Sequence, residues 1–203
     1  VSVANDPPPT VAADAPAPTA PLPGAPEGSY AFAELVDGEP VAFDACVPLT
    51  VMYEPNGEPY PATNDMATAV VHLNEAMGRA IDFQAGDTTQ VPTITVRWVP
   101  SSADLPGSLG PETLGRGGYS RSGRTIISGS VALAADAGLA PGFGPGSWGG
   151  TLLHELGHSV GLAHVDDIAE VMYPMAVLDR EARYGPGDRT GLAHLGGPCH
   201  SRS

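Results

Sequence analysis

The stretch Thr151–His164 reads TLLHELGHSVGLAH and holds three of the chain's six histidines together with a glutamate. Ser147, following Pro145-Gly146, is a natural N-cap, and the spacing predicts a helix over about 148–161. At about 100° per residue, Leu152, Leu153, Leu156 and Val160 fall on one face, which marks a core side. His154 and His158 lie nearly opposite, one turn apart, the spacing that lets two imidazole nitrogens reach one ion. His164 would point elsewhere on a continued helix. Gly161 can take a left-handed conformation, end the helix and bring His164 back to the same point. Three neutral imidazoles then make an open zinc site with a fourth position for water, and Glu155, beside the first ligand, is the expected general base. The alternatives are ordinary helix histidines or a closed structural zinc site; the latter calls for a fourth protein ligand and no adjacent carboxylate.

Outward from this helix, LTVMYE (49–54) reads as a strand closed by the turn Pro55-Asn56-Gly57. Met66, Val70, Leu73 and Met77 recur at helical spacing, with Thr63 or Asn64 as cap and Gly78 as stop. IDFQA (81–85) and ITVRWV (94–99) read as two more strands, and GGYSRSGRTIISGSVAL (117–133) as a hairpin turning at Ser122-Gly123. DREARYGPGDRTGLAHLGG (179–197) gives a loop and a final amphipathic helix, and Trp98 and Trp148 belong to the core. No internal repeat is visible. The order of elements predicts an α/β domain on a mixed sheet.

With 203 residues, the chain is long enough for one domain with its own core plus extras. A formal charge of −14, with all nine basic residues arginine, argues against nucleic acid or an anionic membrane as partner. No apolar run reaches 18 residues, so no membrane span is expected, and a signal peptide is expected to lie outside the sequence, which starts at Val1. Residues 1–29 are rich in Pro and Ala, with three acidic residues and no basic ones, and read as a disordered stalk or linker. The folded domain is assigned to 30–203, with its core over about 40–200. Cys46 and Cys199 sit near the two ends of that domain, beside turn residues. A single bridge and an oxidising compartment are the natural reading, two buried free thiols the alternative.

HELGHSVGLAH (154–164) followed by VMYP (171–174) resembles the metzincin clan of zinc endopeptidases, marked by the long zinc motif and a downstream methionine turn. That resemblance makes Met172 the turn methionine, beneath the zinc without ligating it. The eight-residue step from His164 to Met172, Asp167 three residues after His164, and Tyr173-Pro174 after the methionine are similar to the matrixin branch. Val165 stands where matrixins usually carry serine. No cysteine-switch motif is present, since Cys46 lies in FDACVPLT, and residues 100–125 hold no histidine and only Asp104 and Glu112 as carboxylates, so they offer no second zinc or calcium loop. The likeness is to a bacterial, matrixin-like form, and it is strongest over 147–175.

The resemblance implies a zincin fold: a mixed, mostly parallel twisted sheet of about five strands with an antiparallel edge strand, an active-site helix, the methionine turn and a C-terminal helix. It implies one catalytic Zn2+ and a peptide substrate paired to the edge strand near Gly118, Tyr119 and Ser120. It also implies a pocket beyond the scissile bond lined by Tyr173, Pro174, Met175 and Ala176. The expected protein is a secreted or cell-surface, monomeric zinc endopeptidase. The alternatives are a zinc-binding surface module with weak turnover, which an intact Glu155 opposes, and a zinc hydrolase of a non-peptide amide, which the metzincin spacing opposes. His72, His194 and His200 read as surface or helix-terminal residues. Asp166, Asp167 and Glu170 lack an EF-hand spacing, so calcium is unsupported, and Asp167 is expected to hold its turn by bonds to backbone N–H groups.

Overall fold

The alternation in Leu49–Glu54 (β3) puts Leu49, Val51 and Tyr53 into the core, and Ile94–Val99 (β5) does the same with Ile94, Val96 and Trp98. These strands lie inside a five-stranded sheet in a computed structural model that describes residues 28–86, 93–107 and 113–199. With Ile81–Ala85 (β4), Gly115–Ser122 (β6) and Thr125–Ala134 (β7), the strand order is β4-β3-β5-β7-β6. The pairs β3–β4, β3–β5 and β5–β7 are parallel; only β6, at the edge, runs antiparallel to its neighbour β7. The hairpin joining β6 to β7 turns through Gly123-Arg124, with Gly123 at a φ of 59°. A small ribbon of Leu35–Val36 (β1) and Glu39–Pro40 (β2) precedes the sheet.

Helix α1 (Thr63–Met77) buries Met66, Val70, Leu73 and Met77, as its periodicity predicts, and stops at left-handed Gly78. Its N-cap is Ala62 rather than Thr63 or Asn64. The Ala62 amide donates to Glu58, and Asp65 accepts the Tyr60 hydroxyl and the Gly142 amide, so neighbouring side chains anchor the entry without a capping hydroxyl. Helix α2 (Gly149–Val160) likewise starts from Trp148, not Ser147, whose hydroxyl turns back to the Gly144 carbonyl. Trp148, wholly buried, meets Trp98 edge to face at 4.8 Å, so both tryptophans are core. Helices α1 and α2 contact the sheet and each other, and α3 (Pro186–Gly196) packs on α1.

A disulfide joins Cys46 to Cys199 across 153 residues. Of the expected stalk, residues 1–27 lie outside the described residues, whereas Gly28 and Ser29 pack against Gly187 on α3. His200 also lies outside them. His72 sits against Phe143 and His194 stacks on Tyr30, both away from the cluster on α2.

Cross-linking the domain's start to its end restricts the unfolded chain by up to about 5 kcal/mol on the loop-entropy account. We expect a Cys46→Ser/Cys199→Ser variant to lose about 2–5 kcal/mol in urea unfolding. An unchanged midpoint would show that the bridge does not stabilise the fold.

Candidate metal centre and cleft

Leu152, Leu153, Leu156 and Val160 are fully buried, so α2 presents the opposite face, with His154 and His158, away from the core. Gly161 ends the helix at a φ of 113°, its amide shared between the carbonyls of Gly157 and His158. A side chain there would also crowd the Val41 carbonyl. The chain turns at this point and brings His164 to the other two histidines. The three Nε2 atoms stand 3.0, 3.0 and 3.1 Å apart.

Three nitrogens at these separations lie on a circle of radius about 1.8 Å, just under the roughly 2.0–2.1 Å of a zinc–imidazole bond, so one ion can touch all three. The second nitrogens fix the chemistry. His154 Nδ1 donates to the Val171 carbonyl at 2.7 Å and His158 Nδ1 to the Leu162 carbonyl at 2.9 Å, which leaves both Nε2 lone pairs facing inward. Burial lowers the affinity of all three rings for protons: His164 falls to about 4, helped by His154, and His158 falls well below the usual range, helped by both neighbours. Neutral imidazoles with converging lone pairs are a donor set for a transition-metal cation such as zinc. Among the described residues they form the only such cluster, and Glu155 stands outside it.

Glu155 is 7% exposed and accepts the Gly117 amide of β6. Burial raises its carboxyl to about 7, although the Gly117 bond and the charge of Arg116 draw it down. The approach of β6 to α2 depends on glycine. A Cβ at Gly115 would stand 2.8 Å from Glu155 Cγ, and one at Gly117 would overlap the Glu155 carbonyl and the His158 side chain, whereas Gly118 faces open space.

Strand alternation settles the edge. The Gly117 amide points outward, so Gly118 and Ser120 direct their main chains at β7, and the next outward-facing residue is Tyr119. Ser120 also meets Ser128 through its hydroxyl.

Met172 is buried beneath α2, with its Sδ so close to Gly157 that a Cβ there would meet it at 2.6 Å. Its carbonyl accepts the Val165 amide, which ties the turn to the residue after His164. Asp167 holds its turn by accepting the Ala169 amide, as expected of it. Beyond the turn, Tyr173, Met175 and Ala176 line an open cavity of about 520 Å³ with Ile168, Val177, Leu178 and Asp179. Pro174 does not line it.

Several residues that support the site carry no local motif. Asp188, fully buried near the start of α3, accepts the amides of Val171, Met172 and Gly185 at 2.6, 3.3 and 3.0 Å. Glu170, also buried, accepts those of Gly187 and Asp188, both at 2.9 Å. Burial and the neighbouring Glu170 push the Asp188 carboxyl up to about 7 against these donors. The Tyr184 hydroxyl donates to the Leu153 carbonyl at 2.8 Å. The readable hints were the acidic residue three positions into the Pro-Gly-Asp helix start and the glycines inside a strand, which mark close backbone approach.

The glycine contacts lead to a paired expectation. Gly117→Ala should destabilise the fold by about 1–3 kcal/mol, through overpacking against α2, and weaken metal binding. Gly118→Ala should change stability by no more than about 0.5 kcal/mol. Urea unfolding and zinc titration of both variants check this; equal behaviour of the two would refute the close-approach account.

The sequence matches no protein-family model and no curated protein, so the functional reading rests on the chain's own residues.

Proposed function

We propose that the chain is a zinc-dependent endopeptidase of the metzincin type, matrixin-like, working outside the cytoplasm. The observation that carries this reading is a buried carboxylate, Glu155, fixed by a backbone amide next to three converging imidazoles without belonging to their cluster. A structural metal site has no use for such a group, whereas hydrolysis needs one to move protons. The disulfide suits an oxidising compartment, and among the described residues no helix is long and apolar enough to cross a membrane.

His154, His158 and His164 would hold the ion. When bound, zinc polarises a carbonyl and acidifies water. The remaining work falls to the protein. Tyr119, on the free side of β6, offers main-chain groups to an extended substrate, which places residues on both sides of the scissile bond and favours cuts within chains. Glu155 takes the proton of the attacking water as the new C–O bond forms, and delivers it to the amine as the C–N bond breaks. The cavity beside Tyr173 and Met175 receives the side chain after the cut, and its mostly apolar lining favours an apolar residue there.

Glu155→Ala should keep one zinc per chain and the wild-type melting temperature, yet lose two to four orders of magnitude in peptide hydrolysis. Digestion of a peptide library, with and without a zinc chelator, reads out both activity and preference. Cuts confined to chain ends, hydrolysis of simple amides but not peptides, or undiminished cutting by Glu155→Ala would each contradict the proposal.

The reaction should also show an acid limb. Glu155 acts in its ionised form, so kcat/KM should rise with pH through the Glu155 pKa. A bound cation favours the carboxylate, which places the midpoint below the value of about 7 that burial sets in the metal-free protein. A kcat/KM that falls as pH rises from about 4 to 7 would contradict Glu155 as the base.

A further inference from the structure

His154 and His158 ride on a helix and are oriented by their own Nδ1 bonds; among the described residues His164 has neither support. It is placed through its backbone, by the residues on either side. Val165 is tied to Met172, and the preceding residues are tied to the start of the domain. The Ala33 amide donates to the Gly161 carbonyl at 2.8 Å, the Ala163 amide donates to the Ala31 carbonyl at 2.9 Å, and Phe32 faces Leu162 in an antiparallel bridge. The bridged Leu162 is also the residue whose carbonyl orients His158. One short bridged segment therefore bears on two of the three histidines.

Both ends of that segment are anchored. Upstream, Ser29 lies on Gly187, where any side chain would collide with it, and buried Tyr30 stacks on His194 with ring centroids 5.8 Å apart. Downstream, Glu34 forms an ion pair with Arg121, and Ala42 exchanges backbone bonds with Arg124 and Ile126 at the β6–β7 hairpin. The segment crosses from α3 to the hairpin and presses on the ligand loop between them.

We infer that Gly28–Glu34 is a strap that positions His164, so that docking of the strap and occupation of the metal site favour one another. The reciprocity is thermodynamic: if the docked strap raises metal affinity by some factor, bound metal stabilises the docked strap by the same factor. Detachment of the strap then frees the loop that carries His164 and the Leu162 carbonyl that orients His158. The inference rests on reading the triad as a metal site, not on peptidase activity.

Two measurements on the full chain test it. In Ala33→Pro, which removes the donor to Gly161, zinc affinity measured by competition with a chromophoric chelator should fall about tenfold, the equivalent of about one net hydrogen bond. Ala33→Ser, which keeps the N–H, should stay within about twofold of wild type. Amide hydrogen exchange on the wild-type chain needs no variant: peptides containing Ala33 and Ala163 should exchange about tenfold more slowly with zinc than after chelation. Unaltered affinity in a folded Ala33→Pro protein, or exchange at Ala33 indifferent to zinc, would overturn the strap. A wild-type chain that binds no zinc would overturn the metal reading and the strap with it. Zinc binding that depends on the strap in a chain without hydrolytic activity would uphold the strap while removing the peptidase proposal.

Discussion

Three imidazole nitrogens about 3 Å apart, facing one point, repel one another, and those of His154 and His158 are largely shielded from water. Left to themselves the rings would rotate or take up protons. The surrounding structure prevents both. Val171 and Leu162 hold the outer nitrogens of His154 and His158 through their carbonyls, and burial disfavours the imidazolium forms. A cation that such a cluster could hold would relieve the repulsion on binding, which is how a preorganised donor set would favour it.

That preorganisation depends on backbone as much as on side chains. Val171, whose carbonyl holds His154, is itself held by Asp188, and Asp188 is held through its amide by Glu170. The chain of bonds runs from His154 through the turn at Val171-Met172 to the start of α3. Two buried carboxylates at successive steps suit this task because each accepts two or more N–H bonds that a neutral side chain of similar size could only partly satisfy. Met172 adds an apolar contact beneath Gly157, a position on α2 that tolerates only glycine at this distance.

What the sequence conveyed, and what it did not, follows from the range of each interaction. The two histidines one turn apart, the break at Gly161 and the buried stripe of α2 are local patterns, and all appear in the structure as their spacing requires. The strands over 49–54, 81–85 and 94–99 and the hairpin over 117–133 were legible for the same reason, through alternation and turn residues, although the turn falls at Gly123-Arg124 rather than Ser122-Gly123. The helix entries were not, because distant groups anchor them instead: Glu58 holds the Ala62 amide before α1, and the loop carbonyls of Ala140 and Gly142 accept the amides of Trp148 and Gly149 at the start of α2. The roles of Gly117, Glu170, Asp188 and the bridged segment at Ala31–Ala33 were not read, although the glycines inside a strand and the acidic residue at the start of α3 hint at two of them. Each acts on a backbone group far away in sequence, and no periodicity announces such a contact. Pro174 and Gly118 illustrate the converse: the family resemblance and an expected edge-strand pairing placed them at the cleft, while the main chain of Gly118 pairs with β7 and Pro174 is not among the residues lining the cavity.

The central claim is that His154, His158 and His164 together hold one zinc ion. X-ray absorption at the zinc edge of the protein loaded with one equivalent tests it most directly. The account predicts three imidazole nitrogens at about 2.0–2.1 Å with a light oxygen or nitrogen ligand completing four-coordination. A sulfur in the coordination shell, or a six-oxygen shell of loosely held zinc, would contradict it.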